Sequence, residues 1–470
     1  MTEKPPSAVT GGHPIDSKEK SMENQERSKM LGTMSMGKLV PKVSVPIMIS
    51  MLVQALYNVV DGIFVARYSP DAFTSVSLAF PIQMLMIAVG TGLGVGINSL
   101  VSRHLGAQQA EGARSAAKNG LFLEFCGAVM FCLFGIFGAR HFMRVFTDDA
   151  NLQALGGTYL TIVSVFSIGL LFSMVFERLM QSTGNTVLSM VTQLAGAITN
   201  IILDPIMIFG LKMGVAGAAW ATVIGQWVSM TLGFTLNQRR NPELRISLRG
   251  FRPEMGTIRG ILQVGFPSII MQAISSVMNL LLNKILLTFG TTAVNVMGVY
   301  FKLQSFVFMP VFGLGNGLVA IVGYNFGARL RQRVYDALRV ALTIAFVIMG
   351  VGLLAFQLAP QALISLFESG GAGDLTALGC SALRIISISF LMAAAGIMIT
   401  VVFQAVGKGT YSLIMSLCRQ LIVLVPAAWL LSRTGSLNAV WWAFPIAETV
   451  SLCISLFLFG KVNREMLKKL

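Results

Sequence analysis

Two carboxylates occur in apolar stretches of this sequence, where an acid is costly. Asp204 lies in the run QLAGAITNIILDPIMIFG, and Asp61 lies in LVQALYNVVDGIFVA. An acid near the middle of a bilayer costs roughly 2.5–3.5 kcal/mol on insertion scales. If the two acids meet in a low dielectric, both cannot stay ionised cheaply, so a proton or a metal cation must be held between them. The sequence therefore predicts a site for H⁺ or Na⁺ and does not choose between these ions.

Neutral polar side chains accompany both acids. Asn200 precedes Asp204 by four residues, so the two side chains lie on one helix face. Thr222 adds a hydroxyl in the next apolar segment, and Tyr57 and Asn58 precede the other aspartate by about one turn. Carboxylate, amide and hydroxyl oxygens suit a hard cation. The alternative is a structural role for each acid, either capping a neighbouring helix or pairing with a lysine.

The composition identifies the medium in which these acids lie. Of 470 residues, 54% are hydrophobic and 12% are charged, and the mean hydropathy is +0.73. A soluble protein carries about 25% charged residues, so this is the composition of a polytopic membrane protein. A transmembrane helix needs about 20 apolar residues. Twelve segments reach this length: 42–66, 74–102, 117–139, 155–180, 187–209, 214–236, 257–289, 293–323, 336–357, 378–402, 411–431 and 437–459.

Basic residues cluster in alternate loops. The long central loop 237–259 contains six arginines, and the chain ends with four cations between Lys461 and Lys469. This asymmetry follows the positive-inside rule and places the central loop and both termini in the cytoplasm. The net charge of +15 therefore reflects membrane topology, and we expect no nucleic-acid partner.

The second half of the chain repeats the first at a constant spacing. Pro46 and Pro267 are 221 residues apart, and the same spacing relates two Gly-x-Gly-x-Gly runs and the pairs Gly106-Ala107 and Gly327-Ala328. Each half starts on the same side and holds six spans, so the halves are parallel repeats. We therefore predict an all-α membrane protein with twelve transmembrane helices. They form two six-helix bundles related by a pseudo-two-fold axis along the membrane normal.

This prediction divides the chain into a tail, two bundles and a linker. Residues 1–40 are predicted to be a disordered cytoplasmic tail, since they are mostly polar and contain no signal-peptide hydrophobic region. The bundles comprise residues 41–236 and 257–460, with a cytoplasmic linker at 237–256 and a cytoplasmic C-terminus at 461–470. One chain holds both bundles, so we expect it to act as a monomer in membrane lipid. Rocking of the bundles would expose a central cleft to each side in turn.

Other chemistry has no support in the sequence. The five cysteines lie in apolar segments without a CxxC pair, and the three histidines are scattered, so we predict no metal site and no disulfide. No GxxxxGK[ST] motif occurs, so the energy for transport must come from an ion gradient. No HExxH or GxSxG motif occurs, and we predict neither enzyme activity nor a cofactor.

The acids are distributed unequally between the halves. The repeat position of Asp61 is Leu282, and the spans of the second half contain the cations Lys284, Lys302 and Arg384. Glu177, in the fourth span, would enlarge the polar network of the first half if it faces inward; a local salt bridge with its neighbour Arg178 is the alternative. For Glu448, packing against a lysine or a backbone donor is as plausible as a functional role.

The chain resembles the MATE (multidrug and toxic compound extrusion) family over residues 40–460 or so. The resemblance rests on the spacing of Pro46, Asn58 and Asp61, on the repeated Gly-Ala pair, and on three motifs. These motifs are QSTGN at 181–185, NIILDP at 200–205 and GVAGAAWATVIGQ at 214–226. The chain most resembles the prokaryotic branch of multidrug efflux pumps related to the staphylococcal one.

The resemblance implies a cation site in the first bundle, formed by Asp61, Asn200, Asp204 and Thr222. We expect Tyr57, Asn58 and Glu177 to line the substrate cleft. Members of another branch use acids in the seventh and tenth spans, and this chain lacks them. The predicted function is a H⁺- or Na⁺-coupled antiporter that exports amphipathic, often cationic, drugs or toxic compounds across the cell membrane. The alternative is a lipid-linked oligosaccharide flippase of related frame, which the cations of the second half keep open.

Overall fold

The structure is a computed structural model that describes residues 28–247, 249–365 and 373–470. Seven helices form the first half: α1 (Met36–Tyr68), α2 (Pro70–Gly106), α3 (Ala110–Phe146), α4 (Ala150–Val165), α5 (Ile168–Ser182), α6 (Thr186–Gly210) and α7 (Val215–Arg240). Seven more form the second half: α8 (Met255–Leu287), α9 (Thr291–Gly327), α10 (Arg331–Leu358), α11 (Leu375–Ser387), α12 (Phe390–Ala405), α13 (Gly409–Ser432) and α14 (Leu437–Lys469). A short helix, Pro360–Ser365, follows α10.

The helices confirm the predicted fold class and the repeat. Among the described residues, 10 helices are long and apolar enough to cross a membrane. Two pairs of shorter helices, α4 with α5 and α11 with α12, are bent by 45° and 49° and bring the number of spans to 12 if each pair is one span. The bent pairs occupy the fourth span of each half, so even this irregularity is repeated.

The two halves meet closely at one end of the bundle. We call it the linker end, because the connection between α7 and α8 lies there. A Cβ atom at Gly106 would collide with the carbonyl oxygen of Tyr324, and one at Gly327 would collide with that of Arg103. The glycines of the repeated Gly-Ala pairs thus allow the backbones of α2 and α9 to touch.

The glycine run of α2 serves the same purpose farther along that helix. A Cβ atom at Gly96 would collide with the carbonyl oxygen of Ile261, and one at Gly92 would lie 2.5 Å from Ile269 Cγ1. Close packing of α2 on α8 therefore accounts for Gly92 and Gly96.

The start of the chain corrects one prediction. Residues 1–27 of the predicted tail lie outside the described residues. Residues 28–33 are helical and α1 begins at Met36, so the disorder predicted up to residue 40 is wrong for this part. The physical reason is apolar burial: Leu31, Leu39 and Val40 are fully buried in the hydrophobic core of the second half.

Candidate cation and substrate site

The site begins with an irregularity in α6. The helix is regular from Thr186 to Pro205 and continues as one π-helical turn, Ile206–Gly210. Pro205 has no N–H to donate to the preceding turn, and π turns occur frequently at functional sites. Asp204 lies directly before this irregularity and is fully buried, and Asn200 is also buried, one turn earlier.

A glycine contact brings α7 against this face of α6. A Cβ atom at Gly225 would lie 2.7 Å from the carbonyl oxygen of Gly196, so the two backbones are in direct contact. This approach places Thr222 beside Asn200, whose Nδ2 donates to Thr222 Oγ1 at 3.3 Å. The close packing of the two helices therefore brings these two predicted site residues together.

The third element is α1, which supplies Asp61 and Tyr57. The carboxyl groups of Asp61 and Asp204 lie within hydrogen-bonding distance of each other. The hydroxyl of Tyr57 lies close to the side chain of Thr222. The structure thus brings the two predicted acids together and surrounds them with the predicted neutral donors. The side chain of Asn58 lies outside the part of the chain that the structure describes.

Several oxygen atoms in this cluster are buried without a hydrogen-bond donor. They are Asp61 Oδ1, Asn200 Oδ1 and both carboxylate oxygens of Asp204, for which no described residue provides a donor. Buried acceptors are normally satisfied, and two ionised carboxyl groups in contact repel each other. A proton shared by the carboxyl groups, or a small cation bound to these oxygens, would satisfy both conditions.

Sequence reasoning missed two other members of this cluster. Tyr159, on α4, is buried and close enough to Asp61 and Asp204 to interact with them electrostatically. Gln83 Nε2, on α2, donates to the Tyr159 hydroxyl at 2.8 Å. Both are polar residues within apolar spans, and this signal does not indicate which partners they contact.

A cavity with polar and apolar walls extends from this cluster toward the linker end. Its volume is about 100 Å³, which is enough for several water molecules. Tyr57, Asn200 and Thr222 line it beside the two acids, and Glu177 lines it on α5. The neighbour Arg178 is close enough to interact with Glu177 electrostatically, and its Nη1 donates to Gln181 Oε1 at 2.9 Å. The structure therefore places Glu177 on the inward face of the first half.

Two acids outside this cavity have different surroundings. Glu448 pairs with Arg419, with 3.7 Å between Oε1 and Nη1, so the partner in this packing role is an arginine and not a lysine or a backbone donor. Glu124, on α3, is fully buried and neither of its oxygens has a donor among the described residues. The sequence analysis did not single out Glu124.

The repeat position of Asp61 in the second half is Leu282, which is fully buried in an apolar core.

Comparison with known proteins identifies the family. The family model MatE matches residues 46–206 and again 267–430, so each half of the repeat matches it separately. The chain belongs to the MatE family.

Relatives agree over nearly the whole length. The multidrug export protein MepA of Staphylococcus haemolyticus (strain JCSC1435) is 26% identical over 424 residues, 90% of this chain and 93% of that protein. An outward-facing structure of a multidrug resistance MATE family transporter is 29% identical with a TM-score of 0.88, covering 95% of this chain and 99% of that chain. A second structure, 28% identical with a TM-score of 0.88, covers 94% of this chain and 98% of that one. It is a Pyrococcus furiosus transporter of the MOP superfamily, for which reversed polarity of the binding pocket is reported to suggest a different function.

Proposed function

We propose that this protein is a H⁺- or Na⁺-coupled antiporter that exports amphipathic, often cationic, compounds across the cell membrane by alternating access. The observation that carries this proposal is the contact between Asp61 and Asp204 among buried oxygens that lack donors. Asn200 and Thr222 complete the proposed cation site. One charge moving down about 100 mV supplies roughly 2.3 kcal/mol for transport, in addition to any concentration gradient.

The orientation of the protein follows from its charge. The linker end carries the arginine-rich loop and the basic end of the chain, and the positive-inside rule favours its location in the cytoplasm. With this orientation both termini are cytoplasmic. The coupling cation would then enter from the opposite end and leave at the linker end, while the exported compound moves the other way.

Helix α1 connects the proposed site to the contact between the halves. Its later part contributes Asp61 to the cation site, whereas its earlier part packs on α9 of the second half. There, a Cβ atom at Gly313 would lie 2.7 Å from Met48 Cα, and one at Gly317 would lie 2.6 Å from Ser44 Oγ. Binding of a cation removes the repulsion between the carboxylates and so changes the contact of α1 with α6. Because α1 is one continuous helix, that change alters its packing on α9 and favours one arrangement of the halves.

The substrate class rests on the cavity and on the relatives. Tyr57, Asn58 and Glu177 are the proposed cleft residues, and an aromatic ring with a carboxylate suits a flat organic cation. The curated relatives are named multidrug export proteins, which favours drug export over the flippase alternative. Because one structural neighbour is reported to have a different function, the substrate has to be measured directly.

The test is export by purified protein in proteoliposomes, with a proton gradient and a sodium gradient imposed separately. A panel of organic cations provides the substrates. Asp61→Asn and Asp204→Asn should each abolish gradient-driven export, since either change removes one carboxylate of the pair. Asp71→Asn is the matched control, because Asp71 is an exposed residue in the first turn of α2. Normal export by both site variants would contradict the proposal.

A further inference from the structure

Residues 28–34, which we call the strap, precede α1 and lie between the two halves at the linker end. On the side of the first half, Ser28 Oγ donates to Glu243 Oε1 at 2.6 Å. Glu243 belongs to the connection after α7 and is held in turn by Arg114, whose Nε donates to the Glu243 carbonyl oxygen at 3.1 Å. The strap also borders Gly184, in the turn between α5 and α6, where a Cβ atom would lie 3.5 Å from Leu31 Cδ2.

The second half holds the strap through its backbone. Arg333 Nη2, at the start of α10, donates to the carbonyl oxygens of Leu31 at 3.1 Å and Met34 at 2.7 Å. Asn325 Nδ2, near the end of α9, also donates to the Leu31 carbonyl, at 2.9 Å. Carbonyl groups at the end of a helical turn have no partner within the helix. The second half therefore supplies the donors that the strap cannot supply for itself.

The donors are themselves fixed in position. Arg333 Nε donates to Asn325 Oδ1 at 2.9 Å, and Asn325 is fully buried. The pair thus forms a rigid receptor for two specific carbonyl groups of the strap. An arginine that donates through several N–H groups in a fixed geometry gives stronger and more specific bonds than neutral donors.

The apolar contacts of the strap lie in the same place. Leu31 is fully buried and belongs to the hydrophobic core of the second half, although it precedes the first helix of the first half. A Cβ atom at Gly32 would lie 2.9 Å from Tyr324 Cε1, so the backbone of the strap rests on that ring. The carbonyl oxygen of the same tyrosine faces Gly106 of the first half. The strap therefore covers the contact through which α2 and α9 close the linker end.

We propose that the strap is a latch that keeps the linker end closed, and that it must leave Asn325 and Arg333 before the cleft can open at that end. This inference rests on the proposed alternating-access function. While Leu31 and Met34 are bonded to α9 and α10 and Ser28 is bonded to Glu243 of the first half, the strap ties the two halves together here. Release of the latch then becomes a step of the transport cycle, distinct from exchange of the cation at Asp61.

The first test measures opening of the linker end without requiring transport. Ser102 is fully buried beside Gly323 at the contact between the halves. Ser102→Cys, in protein whose five native cysteines are replaced, should react with a thiol reagent only when the halves separate. Arg333→Gln removes the bonds to Leu31, Met34 and Asn325 and should raise the rate of reaction about tenfold or more, as expected for the loss of charge-assisted hydrogen bonds.

The control for this test is Arg339→Gln, which removes the same charge from the same helix. The side chain of Arg339 is 77% exposed and its ion pair is with Asp336, so it does not touch the strap. In this variant the thiol introduced by Ser102→Cys should react at its original rate. Equal rates in the Arg333 and Arg339 variants would overturn the latch.

A second test fixes the latch instead of weakening it. Gly32→Cys and Tyr324→Cys tie the strap to α9 when a short bis-thiosulfonate reagent bridges them, since each cysteine thiol displaces a sulfinate and forms a disulfide that a reductant can break. Export in proteoliposomes should stop on bridging and return on reduction, and export at an unchanged rate while bridged would overturn the inference. The labelling assay uses no gradient and no substrate, so it can fail while Asp61→Asn still abolishes export. Conversely, Asp61→Asn can export normally while the labelling assay gives the expected result, so failure of the latch and failure of the proposed function can be told apart.

Discussion

Asp61 on α1 and Asp204 on α6 direct their carboxyl groups at each other in the interior of the first half, and no described residue donates a hydrogen bond to either oxygen of Asp204. The neutral donors around this pair bond with other residues: Asn200 donates to Thr222, and Gln83 donates to Tyr159. The arrangement concentrates acceptor oxygens at one point of a membrane-spanning bundle. We propose that the coupling cation binds at this point.

Thr222→Val should weaken cation binding without unfolding the protein. The change keeps the shape of the side chain but removes the hydroxyl that accepts from Asn200 and contacts Tyr57. We expect the dissociation constant for the coupling cation to rise about tenfold, the effect of one buried hydrogen bond. Thr192→Val is the control, since Thr192 is a buried threonine of α6 whose hydroxyl donates to the local Ser189 carbonyl oxygen. Equal affinity in both variants would exclude a role for the Thr222 hydroxyl.

Gly225→Ala should disturb the site through the backbone. The new methyl group would lie 2.7 Å from the Gly196 carbonyl oxygen, so α6 and α7 must move apart. Overpacking of this kind typically costs about 1–3 kcal/mol. We expect a lower unfolding temperature together with weaker cation binding, because Thr222 moves away from Asn200. Gly350→Ala on α10, where a Cβ atom meets nothing within 4 Å, should leave both quantities unchanged.

Glu243 gives the latch a dependence on pH. Burial raises the pKa of this carboxyl group, although the Ser28 hydroxyl and the nearby Lys29 and Arg114 oppose the shift, and Tyr324 lies close by. A raised pKa in the closed state means that the closed state binds the proton more tightly than an open, solvated one. Closure is therefore favoured at low pH. It should weaken as the pH rises from the ordinary glutamate value of 4.5 and stay constant above the raised pKa.

Spin labels at Ala107→Cys and Gln332→Cys, on exposed positions of the two halves at the linker end, measure this dependence. The fraction of long distances should grow with pH in the native sequence. Glu243→Gln, which carries no titratable proton, should remove the change over that range. A pH dependence that persists in this variant would assign the titration to another group.

Glu124→Gln should stabilise the protein. Glu124 is buried in α3 with no donor to either oxygen among the described residues, and replacement of an uncompensated buried acid by a neutral group of the same shape is expected to be favourable. Thermal unfolding in detergent should shift upward by a few degrees, with export unchanged. A loss of export with intact folding would instead give Glu124 a part in the transport cycle.

The sequence could predict the centre of the site because acids are rare in apolar spans. Asp61 and Asp204 are conspicuous for that reason, and the family resemblance adds Asn200 and Thr222. The repeat predicts the arrangement of the halves. Tyr159 and Glu124 were missed, since a single polar residue in a span has many possible partners and only packing selects one. The sequence predicts a disordered tail where the strap lies. This prediction is wrong because the strap is ordered by contacts with Arg333, some 300 positions away. No local pattern encodes that contact.

The most direct measurement of the central claim is cation release on substrate binding at equilibrium. Purified protein in weakly buffered solution receives an organic cation that it exports, while a pH indicator records protons and radioactive sodium records Na⁺. If both ligands compete through the Asp61–Asp204 pair, linkage requires that substrate binding release about one cation per protein. The native protein and the Asp71→Asn control should show this release, and Asp61→Asn should show none. The same release from Asp61→Asn and Asp204→Asn as from the native protein would contradict the account.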